Sequence, residues 1–133
     1  MGVLKASPRA SLAQRLFTIS ELLGHLFDEI QPTEVAVEQP FVGQNVKAAF
    51  AIGEARGIAL IAAAARHLPI SEYPPASIRE TVAGHGSATK SEVAGMVAAH
   101  LQLDPATTTD LDATDATAVA LCHFFRNRNL LSN

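Results

Sequence analysis

The feature that most constrains the fold is the stretch Glu34–Phe41, Glu-Val-Ala-Val-Glu-Gln-Pro-Phe, which predicts a short buried β-strand. Because side chains alternate along a strand, Val35 and Val37 share one face and Glu38 lies on the other. Pro40 ends the strand, since it has no N–H to donate to a sheet. Glu38 therefore stands at the carboxyl end of an apolar strand, where a carboxylate either reaches water or needs a partner of its own.

The composition is that of one domain with enough apolar material for a core. The chain has 133 residues, 48% of them hydrophobic, and this length suits a single domain over residues 1–133. The longest uncharged apolar run, Gly57–Ala65, is too short to span a bilayer, so we expect no membrane partner. Cys122 is the one cysteine, which excludes an internal disulfide and fits a reducing cytoplasm. The net charge of -3 does not indicate nucleic-acid binding, although a metal-dependent nuclease carries acidic residues in its site.

Hydrophobic periodicity and turn signals predict an α/β order of elements. A helical pattern begins at Leu12 and stops before Pro32. The other predicted elements are a strand at 34–39, a helix at 46–68, a strand at 69–73, a short helix opening at Ser77, a helix at 90–101 and a helix from about 110 to 126. Thr89 and Glu92 form a capping box at the start of the helix at 90–101, and Asp110 or Thr109 is expected to cap the last helix. Residues 2–6 are compatible with the end of another strand, and residues 127–133 are predicted to be loose.

Two features of this order point beyond the chain itself. Two parallel strands do not make an independently stable sheet, so part of the expected sheet is absent from the predicted elements. The second half of the helix at 46–68 is apolar on every side. Such a helix must be covered on more than one side, either by the core or by a second subunit.

A second acidic cluster opens the last predicted helix. Asp112 and Asp115 are three residues apart and share one face of that helix. They could simply offset the helix dipole in the first turn. The rest of this helix is mostly apolar, however, so the pair would face other protein or a metal. A strand-end Glu38 together with an aspartate pair is the oxygen-rich set that Mg²⁺ requires, and two Mg²⁺ ions can promote hydrolysis of a phosphodiester.

The remaining candidates for chemistry are weaker. His85 lies in a glycine turn and is expected to be an exposed loop histidine, although it could touch a phosphate. His123 is expected at a solvated helix end. Cys122 has no basic neighbour that would lower the pKa of its thiol, so we expect a buried small hydrophobe.

Four sequence blocks together resemble one family. They are residues 35–41 (VAVEQPF), 53–57 (GEARG), 84–91 (GHGSATKS) and 112–116 (DATDA). Their order and spacing closely resemble those of the RuvC Holliday junction resolvases, from about Leu12 to His123. The resemblance implies an RNase H-like fold, which is an α/β fold with a mixed central sheet flanked by helices. It also implies a cytoplasmic, Mg²⁺-dependent endonuclease that nicks four-way DNA junctions symmetrically, as a homodimer formed through the helix at 46–68, together with a branch-migration motor complex.

The resemblance also implies roles for individual residues. Glu38, Asp112 and Asp115 match catalytic carboxylates that hold the metal ions. Phe41 matches an aromatic residue that stacks on unpaired bases, although a plain hydrophobic cap would also explain it. Arg79 and Lys90 match cations that hold DNA phosphates. Both are predicted at helix starts, where the helix dipole disfavours a cation, and this placement favours a ligand-binding role.

One part of the family pattern has no match. The family begins with a strand that carries its first catalytic aspartate, and no such strand precedes Glu38. The earlier acidic residues are Glu21, Asp28, Glu29 and Glu34, on the first helix or just after it. The N-terminal sheet strands are therefore predicted to be absent. An alternative function follows from this, namely a catalytically impaired module for junction binding and dimerisation.

Overall fold

A computed structural model describes residues 1–40, 45–104, 106 and 110–130. Within these ranges the elements are α1 (Leu12–Ile30), β1 (Val35–Glu38), α2 (Val46–Ala64), β2 (Ile70–Tyr73), α3 (Pro75–Ala83), α4 (Lys90–Leu101) and α5 (Leu111–Leu130). The α/β order predicted from the sequence is confirmed. Across the same ranges, no helix combines the length and the hydropathy needed to cross a membrane.

The two strands pair in parallel. The N–H of Val35 donates to the carbonyl of Pro69 at 2.9 Å, and the N–H of Gln39 donates to the carbonyl of Tyr73 at 2.8 Å. The constant offset between these pairs shows that both strands run in the same direction. The sheet contains two strands in the described part of the chain. The strand suggested at residues 2–6 was wrong, because those residues form no regular structure.

The described residues form two compact units. The first unit draws on Met1–Val3, Ala36–Gln39 and Glu72–Asn133, and the second on Leu4–Val35 and Pro40–Ser71.

The first unit has a core built by α3, α4 and α5. The buried residues of this core are Ile78, Val82, Ala88, Val93, Val97, Ala118, Val119 and Cys122. Cys122 is fully buried, as predicted for a small hydrophobe. Burying these side chains packs α3, α4 and α5 together, and this places the polar residues on their outer turns near one another.

The second unit packs α1 against α2 through Phe27 and Ala63, which are buried. The opposite side of α2 is open in this chain, because Phe50 is 68% exposed and Ile61 is 72% exposed. The sequence predicted that this helix ends at Leu68, but it ends at Ala64. A left-handed residue, His67 with φ 55, lies in the turn that follows and is incompatible with a continuing helix.

Three helix ends can be compared with the positions predicted from the sequence. Helix α3 begins at Pro75 and not at Ser77, because proline at the first helical position has a favourable φ and needs no N–H partner. Helix α4 begins at Lys90 with the predicted capping box, in which Thr89 and Glu92 bond each other's backbone N–H groups. Helix α5 continues to Leu130, so the loose tail predicted from residue 127 was wrong up to that point, and residues 131–133 lie outside the described residues.

Candidate active site

A small cavity in the first unit brings four of the predicted site residues together. Its volume is about 130 Å³. Its charged lining consists of Glu38, Arg79, Lys90 and Asp115, and its apolar lining of Pro75, Ile78, Ala88, Val93 and Ala118. These residues come from the end of β1 and from α3, α4 and α5, except Ala88, which lies between α3 and α4. We call this space the charged cavity.

An ion pair joins the two helices that flank the charged cavity. Lys90 is the first residue of α4, and its Nζ lies 2.7 Å from Oδ2 of Asp115 in the second turn of α5. The hydrogen bond to Asp115 and the charge of that carboxylate raise the pKa of Lys90, and the charges of Asp112 and Glu38 add to the effect. The charge of Lys90 therefore interacts with all three carboxylates that were predicted to hold metal.

Glu38 lies at the carboxyl end of β1, where the sequence predicted it. Partial desolvation raises the pKa of Glu38, and the negative charge of Asp115 raises it further. Lys90 and Arg79 act in the opposite direction. Since the side chain of Glu38 still reaches solvent, screening limits these effects. The shared electrostatics nevertheless show that the two carboxylates are close neighbours.

Arg79 is held by a glycine turn. Its Nε donates to the carbonyl oxygen of Gly86 at 2.8 Å. The described residues include no hydrogen-bond partner for its two Nη groups. The expectation that Arg79 lies at a helix start was wrong, because α3 begins at Pro75 and Arg79 is in its middle. The supporting role of Gly86 was not predicted, although the glycines that flank His85 mark a turn. Gly84 ends α3 with φ 87, a conformation that glycine adopts without strain.

Two predicted residues are not part of the charged cavity as described. Asp112 is exposed and precedes Asp115 by three residues on α5, outside the lining. It affects the site through its charge on Lys90. Phe41 lies outside the described residues.

The donor set suits a hard divalent cation. Glu38 and Asp115 supply carboxylate oxygens to the same cavity, and a cation between them would relieve the repulsion that raises the pKa of Glu38. Where side chains are described, no group of three or more His, Cys, Asp or Glu lies close enough together to hold a metal. The ammonium group of Lys90 already neutralises Asp115. The cavity thus offers Mg²⁺ two carboxylates of suitable chemistry, Glu38 and Asp115, and Asp115 would have to exchange Lys90 for the ion.

The sequence predicted His123 at a solvated helix end, and this prediction was wrong. It is 8% exposed, and its Nδ1 lies 2.7 Å from the hydroxyl oxygen of Tyr73. Its Nε2 lies 3.0 Å from Nδ2 of Asn127. The error follows from the predicted end of α5, because a helix that continues to Leu130 carries His123 inside the unit. His85 is exposed, as predicted.

Comparison with known proteins identifies one group of relatives. The sequence model of the family "Crossover junction endodeoxyribonuclease RuvC" matches residues 1–123. The protein of that name from Porphyromonas gingivalis is 41% identical, over 95% of this chain and 67% of the relative. The corresponding protein from Halorhodospira halophila is 46% identical, over 92% of this chain and 72% of the relative. The solved structure of T. thermophilus RuvC in complex with a Holliday junction substrate superposes with a TM-score of 0.84 at 35% identity, covering 96% of this chain and 76% of that one.

Proposed function

This chain belongs to the RuvC family, and on that premise we propose that it is a Mg²⁺-dependent endonuclease that resolves four-way DNA junctions by symmetric nicking in recombination and repair. The observation that carries the proposal is the charged cavity. It places Glu38 and Asp115, which match family carboxylates, beside Lys90 and Arg79, which match family cations. Carboxylates for a metal and cations for a phosphate are the two components that hydrolysis of a phosphodiester needs.

Each charged residue has a distinct task in this proposal. Glu38, Asp112 and Asp115 hold the metal. When bound there, Mg²⁺ would supply the means to activate water at neutral pH and to stabilise a departing oxygen. Arg79 presents its Nη groups to a phosphate, and the carbonyl of Gly86 keeps the guanidinium oriented through Nε. Lys90 exchanges Asp115 for a DNA phosphate when substrate arrives. These cations position the backbone and read no base sequence.

The partners proposed are a second copy of the chain and junction DNA. Phe50 and Ile61 leave apolar surface exposed on α2, which supports a homodimer formed through the region 46–68. A two-fold dimer would place two charged cavities on opposed strands of a junction. Phe41 would stack on unpaired bases there. The family premise also includes a branch-migration motor as a partner and the cytoplasm as the location, where the buried thiol of Cys122 stays reduced.

A second candidate function is favoured by a specific observation. Among the described residues, the carboxylates that line the charged cavity are Glu38 and Asp115. A site with only these two carboxylates could bind a phosphate backbone through Lys90 and Arg79 without completing hydrolysis. In that case the chain would be a junction-binding and dimerisation module. Binding of a four-way junction in EDTA, without any cleavage in Mg²⁺, would favour this alternative.

The test compares wild type with Glu38→Gln. We expect Glu38→Gln to abolish junction cleavage in Mg²⁺ and to bind the junction normally in EDTA, because it removes a metal ligand and no phosphate contact. Glu80→Gln is the matched control, since Glu80 is an exposed carboxylate on α3 of the same unit. If Glu38→Gln loses junction binding while circular dichroism shows an intact fold, Glu38 is not acting as a metal ligand.

A further inference from the structure

A polar contact between Tyr73 and His123 lies in the same unit as the charged cavity, outside its lining, and takes no direct part in the proposed chemistry. The hydroxyl of Tyr73, at the end of β2, is 2.7 Å from Nδ1 of His123 on α5. His123 is almost completely buried. The guanidinium of Arg126 covers the Tyr73 ring at 5.6 Å from its centroid. A buried histidine with a short bond between two elements is expected to restrict their relative movement.

The direction of this hydrogen bond follows from the second ring nitrogen. Asn127 Nδ2 lies 3.0 Å from His123 Nε2, so the amide donates and Nε2 accepts. The ring proton of a neutral imidazole then lies on Nδ1, which donates to the oxygen of Tyr73. His123 thereby accepts a hydrogen bond from a residue of its own helix, α5, and donates one to a residue of β2.

The same tyrosine connects directly to the strand that carries Glu38. The backbone carbonyl of Tyr73 accepts from the N–H of Gln39 at 2.8 Å, and Gln39 follows Glu38 in the chain. On the other side, His123 lies eight residues after Asp115 on α5, which is about 12 Å along a helix. Glu38 and Asp115 are thus joined by a continuous route through Gln39, Tyr73 and His123.

We propose that Tyr73 and His123 are a positioning pair that sets the carboxyl end of β1, and with it Glu38, against Asp115 on α5. The inference rests on the proposed function and deepens it, because it states how two carboxylates from distant segments stay in register for a divalent cation. Neither residue lines the charged cavity. Removal of such supporting contacts costs about 10- to 100-fold in metal affinity or activity.

The experiment uses the full chain and Mn²⁺ as the probe. Tyr73→Phe removes the hydroxyl and keeps the ring. His123→Leu removes the ring nitrogens, whereas His123→Asn keeps an amide donor near the position of Nδ1. His100→Leu is the matched control, because His100 Nε2 lies 3.1 Å from the Val82 carbonyl in the same unit and this contact involves neither strand. Amide hydrogen exchange of Gln39 and the Mn²⁺ dissociation constant, measured by electron paramagnetic resonance, are determined for each variant.

The expected result combines both readouts. In Tyr73→Phe and His123→Leu, exchange of the Gln39 amide should accelerate and Mn²⁺ binding should weaken about 10- to 100-fold. His123→Asn should recover part of that affinity, and His100→Leu should change neither quantity. A role confined to stability would lower the melting temperature of His123→Leu and His100→Leu alike and leave Mn²⁺ affinity unchanged.

Several outcomes would overturn the inference. Faster Gln39 exchange with unchanged Mn²⁺ affinity would make the contact structural only. Unchanged Gln39 exchange would break the proposed route at its first step. Equal loss in His123→Asn and His123→Leu would show that the bond to Tyr73 is not the cause. Failure of the wild-type chain to bind Mn²⁺ would refute the metal assignment of the proposed function, whereas wild-type Mn²⁺ binding that Tyr73→Phe and His123→Leu leave unchanged would refute the positioning pair alone.

Discussion

Replacing Lys90 by methionine should change metal binding and DNA binding in opposite directions. Lys90 forms an ion pair with Asp115 at 2.7 Å, and Asp115 is a proposed metal ligand. Methionine keeps the length of the side chain and removes its charge. Asp115 is then released for a divalent cation, whereas a phosphate contact is lost. A purely structural lysine would not produce this opposition.

The magnitude follows from the exposure of the pair. The side chains of Lys90 and Asp115 are 67% and 36% exposed, so their ion pair contributes about 0.2–1 kcal/mol after screening. Because about 1.4 kcal/mol corresponds to a tenfold change in an equilibrium, Lys90→Met should tighten Mn²⁺ binding about 1.4- to 5-fold. Loss of one phosphate contact should reduce the slope of log affinity against log salt by about 0.9.

The assay measures three quantities on each protein. Mn²⁺ affinity is measured without DNA, junction affinity is measured in EDTA across a series of salt concentrations, and stability is measured by urea denaturation. Lys5→Met is the control, because it removes the same charge from an exposed residue outside the charged cavity. We expect a stability loss of at most about 1 kcal/mol in Lys90→Met.

Two results would refute this reasoning. If Lys90→Met weakens Mn²⁺ binding, the ammonium group does not compete with a cation at Asp115. If the salt slope is the same as in wild type and Lys5→Met, Lys90 does not contact a phosphate.

Three further predictions concern the same unit. Glu38 has a raised pKa, so the folded state keeps this proton to higher pH than the unfolded chain and loses stability as pH rises above about 4.3. Glu38→Gln should therefore have a higher melting temperature than wild type at pH 7 and the same melting temperature at pH 3.5. Equal melting temperatures at pH 7 would contradict this prediction. Thr89→Ala should lower the free energy of unfolding by about 1 kcal/mol in urea titrations, because it removes the cap of α4, whereas Thr89→Ser should be nearly neutral. Arg79→Lys should weaken junction binding at an unchanged salt slope, because the charge stays while the orienting bond to Gly86 is lost, and a reduced slope would contradict this reasoning.

Local sequence signals predicted the elements whose ends are chemically marked. The capping box at Thr89 and Glu92 predicted the start of α4 correctly. Of the two residues expected to cap α5, Asp110 and Thr109, the carboxylate of Asp110 accepts from the N–H groups of Asp112 and Ala113. Such ends are predictable because one side chain satisfies the free N–H groups of a first turn. The strand that carries Glu38 was predicted because Pro40 ends its pattern.

Ends without such signals were predicted less well. The apolar pattern of α2 continues past Ala64, yet the chain turns at His67. The end of α5 was predicted too early, because the last residues of a chain are commonly loose and a loose tail was expected from residue 127. Tertiary packing decides these ends, and the pattern of a single segment does not contain it.

Four residues singled out from the sequence, Glu38, Arg79, Lys90 and Asp115, line the charged cavity, but their contacts were not predictable. Glu38 and Asp115 were expected to lie together because four sequence blocks resemble one family, since no local pattern connects residues so far apart. The pairing of Lys90 with Asp115, the support of Arg79 by Gly86 and the burial of His123 depend on how α3, α4 and α5 pack. These contacts appear only when the structure is known.

Strand mapping of a four-way junction in Mg²⁺ shows whether the charged cavity is a junction-specific nuclease site. A synthetic junction is labelled on each strand in turn and incubated with the chain, and a linear duplex of matched sequence is treated in parallel. The account predicts nicks at symmetry-related positions in two opposed strands, ligatable ends, no cutting of the duplex, and no products with Glu38→Gln. An intact junction under conditions in which the chain binds it, or equal cutting of junction and duplex, would contradict the claim that the charged cavity is a junction-specific nuclease site.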